Sequence, residues 1–305
     1  MENNISEILN FRFNKKYLQR AWYGGKFPEN FSDYKEILQE YPAIYNHFKY
    51  ILHGDFGIRI NKQSKNNDVF CHTGSMHFLN QLTNKYPDNF NNLVIMGDDS
   101  FLSLKLNLLK SIKHRFKKIY YEAKDVECDW VQTLPMGMIM AYMVRNGGND
   151  ILKHINKQKN KTKLIASAFG SRWPHLTKII KDRSNLAVFT KDNDFVGDMF
   201  CEPTEYYENL CDYRFFACPL GNGIQTPKIC ECIMCETVPV VTDHVAHREL
   251  RDIYGLPLLI VNEWSDITEE FLNEQWNSLY SKIDWSEQKS KFLVKNFDKL
   301  LRCGT

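Results

Sequence analysis

Residues 213–243 read Tyr213-Arg-Phe-Phe-Ala-Cys-Pro-Leu-Gly-Asn-Gly-Ile-Gln-Thr-Pro-Lys-Ile-Cys-Glu-Cys-Ile-Met-Cys-Glu-Thr-Val-Pro-Val-Val-Thr-Asp243. The apolar run from Arg214 to Cys218 stops at Pro219, and Gly221-Asn222-Gly223 then permits positive φ and close backbone approach. Thr226 before Pro227 predicts a helix start, with a side-chain acceptor at the N-cap and a preset φ behind it. A second apolar run, Val238-Pro-Val-Val-Thr-Asp243, closes the unit. Strand, glycine turn, helix, strand is how parallel sheets are built.

Outward from this stretch the same rhythm repeats. Asp68-Val-Phe-Cys breaks at His72-Thr-Gly-Ser and is followed by a helical pattern from Met76 to Lys85. Leu93-Val-Ile-Met-Gly precedes a second helical stretch ending at Lys113, and Ile119-Tyr-Tyr is a third apolar run. A polar, basic segment from Gly147 to Lys163 reads as a connection between domains. The rhythm restarts at Leu164-Ile-Ala-Ser-Ala-Phe-Gly, continues through a helix near Leu176 to Asp182, and predicts a strand at Leu186-Ala-Val-Phe-Thr. Leu258-Leu-Ile-Val is the last such run, and spacing after Ser286 predicts a final helix. The first 50 residues, rich in aromatics, read as helices and loops. The expected class is α/β: two Rossmann-like parallel-sheet domains facing a central cleft, over 1–155 and 156–285, with a C-terminal helix over 286–305.

At 305 residues the chain is long enough for two cores, and 43% hydrophobic with 25% charged residues excludes a disordered or fibrous polymer. A formal net charge of +2 argues against a nucleic-acid partner held by bulk charge. The local basic run Lys110, Lys113, His114, Arg115, Lys117 and Lys118 reads as a solvated helix face. No membrane span or export signal is visible, so a soluble, cytoplasmic protein with its nine cysteines reduced is expected. Oligomeric state has no signature in the sequence.

The chemistry concentrates at residues 221–231. A helix start carries free N–H groups and partial positive charge, so it favours an anion, and Lys228 adds a cation in the first turn. Glu231, three residues on, shares that face and is expected to accept hydrogen bonds from a ribose diol while the helix end and Lys228 hold phosphates. Cys230, Cys232 and Cys235 invite a zinc site, but helical spacing separates Cys230 from the others and no fourth ligand is near, so buried thiols are expected.

This stretch resembles the nucleotide-sugar half of the exostosin-like and ribitol β-xylosyltransferase families. Cys218, Pro219, Gly221, Asn222, Gly223, Thr226, Glu231, Pro239, Val240 and Val241 carry the match. Leu134-Pro-Met-Gly and Ser167-Ala-Phe-Gly-Ser-Arg172 are looser echoes. The chain departs from the pattern where Lys228 replaces an arginine, Gln225 an aspartate and Glu236 a helix-ending glycine. The resemblance implies a two-Rossmann glycosyltransferase of the GT-B type, with the donor in the C-terminal domain, the acceptor in the N-terminal domain and no essential metal or other cofactor. The anchorless, Asn/Lys-rich sequence looks most similar to chlorovirus-encoded xylosyltransferases. That implies UDP-xylose as donor and a glycan hydroxyl as acceptor.

Inverting transfer needs a base for the acceptor hydroxyl and positive charge for the departing diphosphate. Arg172, Lys228 and the helix start at Thr226 are expected to serve the diphosphate, with the loop after Thr190 near the uracil. The base is expected at a strand end of the first domain: Asp98 or Asp99 first, then His72, with Glu122, Asp125, His53 and Asp55 further candidates. Two alternatives stand beside this. Asp192-Asn-Asp194 could hold a divalent ion in a metal-dependent transferase, or the chain could bind nucleotide sugars without catalysis.

Overall fold

The computed structural model describes residues 7–9, 43–54, 56–86, 89–97, 100–139, 150–155, 160–170 and 177–303. Two sheets organise the chain. The first contains β1 (Tyr50–His53), β2 (Gly57–Ile60), β3 (Val69–His72), β4 (Phe90–Met96), β5 (Phe116–Tyr121) and β6 (Val131–Gln132), in the order β2-β1-β3-β4-β5-β6. Only the β1–β2 pair is antiparallel. The second contains β7 (Lys163–Ser167), β8 (Val196–Asp198), β9 (Tyr213–Ala217), β10 (Val238–Thr242) and β11 (Leu259–Val261), all parallel, in the order β11-β10-β9-β7-β8.

Strand order dictates where helices go. In the first sheet each parallel strand lies beside the one before it, so right-handed crossovers leave their helices on one face. Those helices are α1 (Phe78–Lys85) and α2 (Leu106–Ile112), whose Leu79, Leu82, Leu109 and Ile112 pack with Leu52, Val69, Leu93 and Ile119. Alternation along the strands sends Ile51, Phe70, Val94 and Tyr120 to the opposite face. Among the described residues no crossover helix of this sheet reaches that face. It is covered by Ile44, Tyr45 and Phe48 and, from the far end of the chain, by Phe297, Leu300 and Leu301.

The second sheet steps first one way and then back over its starting strand. Its helices accordingly divide between two faces. α4 (Thr177–Asp192) contributes Leu186 and Phe189, and α8 (Glu269–Ser278) contributes Leu272, to the side lined by Ile165, Phe215 and Val240. The other side buries α3 (Ile151–Ile155), α5 (Tyr206–Leu210), α6 (Lys228–Met234) and α7 (Val245–Asp252) against Ala166, Phe216 and Val241.

Several expectations are corrected here. Leu186 to Thr190 is the last part of α4, not a strand; the second strand of this sheet is β8. A hairpin, β1 and β2, occupies residues 50–60, where no strand was expected. The final helix is two short ones, α9 (Trp285–Ser290) and α10 (Phe297–Arg302), and Asp284 caps α9, accepting from the N–H groups of Ser286 and Glu287. Glu236, in place of a glycine, sits at φ 60° and still closes α6, with Glu236 N–H on the Ile233 carbonyl at 3.1 Å and Thr237 N–H on Cys232 at 2.9 Å. Lys289 Nζ reaches its Oε1 at 2.6 Å, and this ion pair offsets the left-handed backbone.

Loops beyond the carboxyl ends of both sheets meet in one seam. Gln225 donates from Nε2 to the carbonyls of Glu122 and Leu134, both at 2.9 Å, and its Oε1 accepts from Met136 N–H at 3.1 Å. Lys124, 1% exposed, donates to the carbonyls of Cys128 and Val131 and to Glu249 Oε1 at 2.5 Å. The other oxygen of Glu249 accepts from Thr133 N–H at 2.7 Å. Tyr254 accepts from Gln132 at 2.6 Å and donates to the Thr133 carbonyl at 2.5 Å. Replacing Gln225 by Leu strands three buried backbone groups, each costing roughly 1–3 kcal/mol when unsatisfied. The variant is expected to lose about 3 kcal/mol or more in urea unfolding; an unchanged midpoint would contradict the seam.

Candidate functional site

In an open α/β sheet, ligands collect outside the carboxyl ends of the strands where the strand order reverses. The second sheet reverses between β7 and β9. The loops leaving those strands begin at Ala168 and Cys218, so the loop singled out from the sequence borders the switch point.

Two consecutive residues of α4 hold these loops. Asp182 accepts from Leu220 N–H at 2.7 Å, from the Thr242 hydroxyl at 3.0 Å and from Trp264 Nε1 at 3.0 Å. Arg183 donates from Nε to the Leu220 carbonyl at 3.0 Å and from Nη1 to the Gly170 carbonyl at 2.9 Å. Its half-buried guanidinium thus joins both sides of the switch point and brings a full positive charge there. Sequence reasoning missed this pair, because an Asp-Arg inside a helix carries no signature until the loops it holds are in place.

The glycine loop is built for close approach more than for positive φ. A Cβ on Gly221 would lie 2.2 Å from the Gln225 carbonyl oxygen, so no other residue fits. Gly221 and Ile224 exchange two backbone hydrogen bonds of 3.0 Å. The residue that takes the left-handed conformation is Ile224, at φ 71°. A β-branched residue there is strained, and burial of its side chain with Leu220, Ala123 and Val131 across the seam holds it. Asn222 is half-buried, and its Oδ1 has no partner among the described residues.

Lys228 and Glu231 lie one turn apart, as expected, but the acid does not open to the cleft. Glu231 is 3% exposed, and its Oε2 accepts from the Tyr206 hydroxyl at 2.9 Å. Burial raises its carboxyl above the ordinary range, against the opposing pull of Lys228 and the Tyr206 hydrogen bond. The cause is the layer formed by α5, which covers the face of α6 that the sequence left for a ligand. Lys228 is half-buried, its Nζ 3.2 Å from the Tyr206 hydroxyl and 4.8 Å from the centre of that ring. No side chain caps α6: the cap position falls on Pro227, one residue beyond the expected Thr226.

Thr190 is also displaced from its expected role. It is in the last turn of α4, donating to the Ala187 carbonyl at 3.1 Å. A crossover helix runs antiparallel to its strands, so Thr190, Asp192 and Asp194 lie toward the amino ends of the strands, away from the switch point. Arg172 lies outside the described residues, as do Asp55, Asp98 and Asp99. Among the described residues no group of three His, Cys, Asp or Glu side chains could hold a metal ion. All nine cysteines are free.

On the first sheet, the carboxyl ends of β1, β3, β4 and β5 bring together His53, His72, Gly97 and Glu122. The His53 and His72 ring centres are 4.6 Å apart, and His53 also stacks on Phe56 at 5.2 Å. A Cβ on Gly97, which has φ 114°, would fall 2.4 Å from His72 Cδ2, so the glycine makes room for the imidazole. Fully buried Glu122 accepts from Gly97 N–H at 2.8 Å. Asp125 instead caps a turn, accepting from the Ser103 N–H and hydroxyl at 2.9 and 2.6 Å. His72 is half-buried; it, His53 and Glu122 are the sequence-expected base candidates that the described residues bring to this edge, and His72 ranked first of the three.

No family model matches the sequence, and no curated protein matches it. Among solved structures, Arabidopsis thaliana UGT89C1 complexed with quercetin is similar at 11% identity and TM-score 0.36, over 77% of this chain and 71% of that one. The same protein complexed with UDP-L-rhamnose aligns at 11% identity and TM-score 0.34, over 80% of this chain and 73% of that one. Likeness at this level assigns no activity. No helix among the described residues is long and apolar enough to cross a membrane.

Two buried histidines follow β10. His247 donates from Nδ1 to the Thr242 carbonyl at 2.8 Å, and His244 Nδ1 accepts from Ala246 N–H at 3.2 Å, capping α7. Burial lowers both, His244 to about 3. Neutral histidine is thus favoured in the fold: its contribution is complete above the unfolded value of about 6.5 and disappears as pH falls toward about 3. His244→Asn keeps a capping acceptor and is expected to lessen the stability lost between about pH 7 and about pH 4 in urea titrations. A variant losing as much as the parent would contradict this account.

Proposed function

We propose that the chain is a glycosyltransferase that uses a nucleotide-sugar donor, held at the β7/β9 switch point, to modify a hydroxyl bound on the carboxyl edge of the first sheet. One observation supports this above the rest. Loops from a parallel sheet's switch point, held by Arg183 of α4 and followed by Lys228 at the start of α6, meet the carboxyl-end loops of a second parallel sheet, whose edge carries His72. A cationic, loop-built site facing a candidate base across a seam suits transfer between an anionic leaving group and a neutral nucleophile.

In this mechanism His72 accepts the proton of the acceptor hydroxyl. The acceptor oxygen attacks the anomeric carbon opposite the diphosphate, which leaves with the bonding pair, so configuration inverts. Arg183 and Lys228 balance the negative charge that develops on the diphosphate, which makes a divalent ion unnecessary. UDP-xylose is the donor we favour and a glycan the acceptor, both on the resemblance in residues 213–243. The buried Glu231 is given no part in gripping the pentose; its role is to hold Tyr206. The cytoplasm, in a virus-infected host, is the setting consistent with that resemblance.

Incubation with a panel of UDP-sugars is expected to release UDP from one donor, with the rate unchanged by EDTA. His72→Ala is expected to slow release by roughly 100-fold to 10,000-fold, the usual contribution of a positioned base, with UDP binding retained. Thermal stabilisation by UDP with no release in the presence of any acceptor would identify a non-catalytic binder instead. Absence of both stabilisation and release would reject the nucleotide-sugar reading.

A further inference from the structure

With β8 at residues 196–198, the loop that continues the carboxyl edge past β7 begins at Met199. Met199 N–H donates to the Ser167 carbonyl at 3.0 Å, extending the β7–β8 ladder, and the Met199 side chain is buried in the core. The next N–H, that of Phe200, donates to Asp198 Oδ1 at 3.2 Å. The backbone leading into Phe200 is therefore held by two consecutive N–H groups. The Phe200 side chain is nonetheless 96% exposed, and it is the only exposed aromatic among the described residues. The other large exposed hydrophobics, Ile60, Leu104, Ile180, Val188 and Leu279, are aliphatic and belong to other elements.

An aromatic ring left in water contributes little to folding, while a fixed backbone lowers the entropy lost when a flat ligand settles on it. Position selects the ligand. β8 pairs with β7, and β7 borders the switch point, so Phe200 follows the strand next to the one whose loop Arg183 holds, on the same carboxyl edge. A planar, uncharged group joined to a diphosphate through a short linker meets that arrangement: the charged part at Arg183, the flat part on the ring.

We propose that Phe200 is the platform on which the nucleobase of the donor stacks, an inference that rests on the nucleotide-sugar reading above. Stacking uses the π-face that every base presents and reads no hydrogen-bonding edge. Phe200 thus contributes affinity for a nucleoside diphosphate, and discrimination between bases is left to other groups.

The test uses the full chain, with UDP, ADP and inorganic pyrophosphate as probes in isothermal titration calorimetry. Phe200→Ala is expected to weaken UDP and ADP about tenfold, the order of one base–aromatic stack, and to leave pyrophosphate unchanged. Phe200→Trp is expected to retain UDP affinity. Because the side chain packs on nothing, both variants should unfold at the parent's temperature. Parent-like UDP binding by Phe200→Ala, or equal weakening of UDP and pyrophosphate, would overturn the stacking role while leaving the nucleotide site intact. A parent protein that binds neither UDP nor pyrophosphate would instead overturn the functional reading on which the proposal stands.

Discussion

Both ends of the Gln225 amide are committed across the seam, and the loop on which the site depends takes its shape from that commitment. The side chain joins the carbonyls of Glu122 and Leu134 to the N–H of Met136, all buried. With Gln225 fixed, the Gly221 turn cannot relax, Ile224 stays in a conformation it would otherwise avoid, and α6 starts where it does. The pair Lys124–Glu249 supports the same geometry from the other side of the seam. A buried ion pair gives modest net stability because desolvation opposes attraction, but losing one partner leaves a bare charge. Such a contact specifies a single relative placement of the two sheets more than it strengthens either of them.

The two sheets differ in how they solve the same burial problem. Stepwise strand order in the first sheet leaves a face without crossover helices, and reversal in the second covers both faces internally. The reversal also creates the crevice. Ligand-holding geometry and core formation in the second sheet thus share one topological cause, whereas the first sheet contributes an edge of side chains and depends on distant chain for its cover.

Much of this was legible in the sequence because apolar runs mark parallel strands well: those read at 68–71, 93–97, 119–121, 164–170, 213–219, 238–243 and 258–261 each overlap a strand, with ends that differ by up to three residues. The failures have physical reasons. Leu-Ala-Val-Phe-Thr at 186–190 is β-rich in composition, and its helical period appears only when Ile179, Asp182, Leu186 and Phe189 are seen as one buried stripe. β8 was invisible because one buried valine carries it. The Lys228–Glu231 spacing was read properly as a shared helical face, yet which neighbour that face meets is decided by α5, distant in sequence. Asp182 and Arg183 act through loop backbone, which no residue pattern announces.

The cover of the first sheet's second face has a consequence for how the protein is made. Tyr120, in β5, donates its hydroxyl to the carbonyl of Leu301, 181 residues further on. A ribosome must therefore polymerise the whole second sheet, whose last strand ends at Val261, before Phe297, Leu300 and Leu301 emerge to shield Phe70, Val94 and Tyr120. Until then the nascent first sheet presents a greasy surface to the cell, and its completion waits on its neighbour. The first sheet therefore completes its core only with residues that follow the second sheet in the chain.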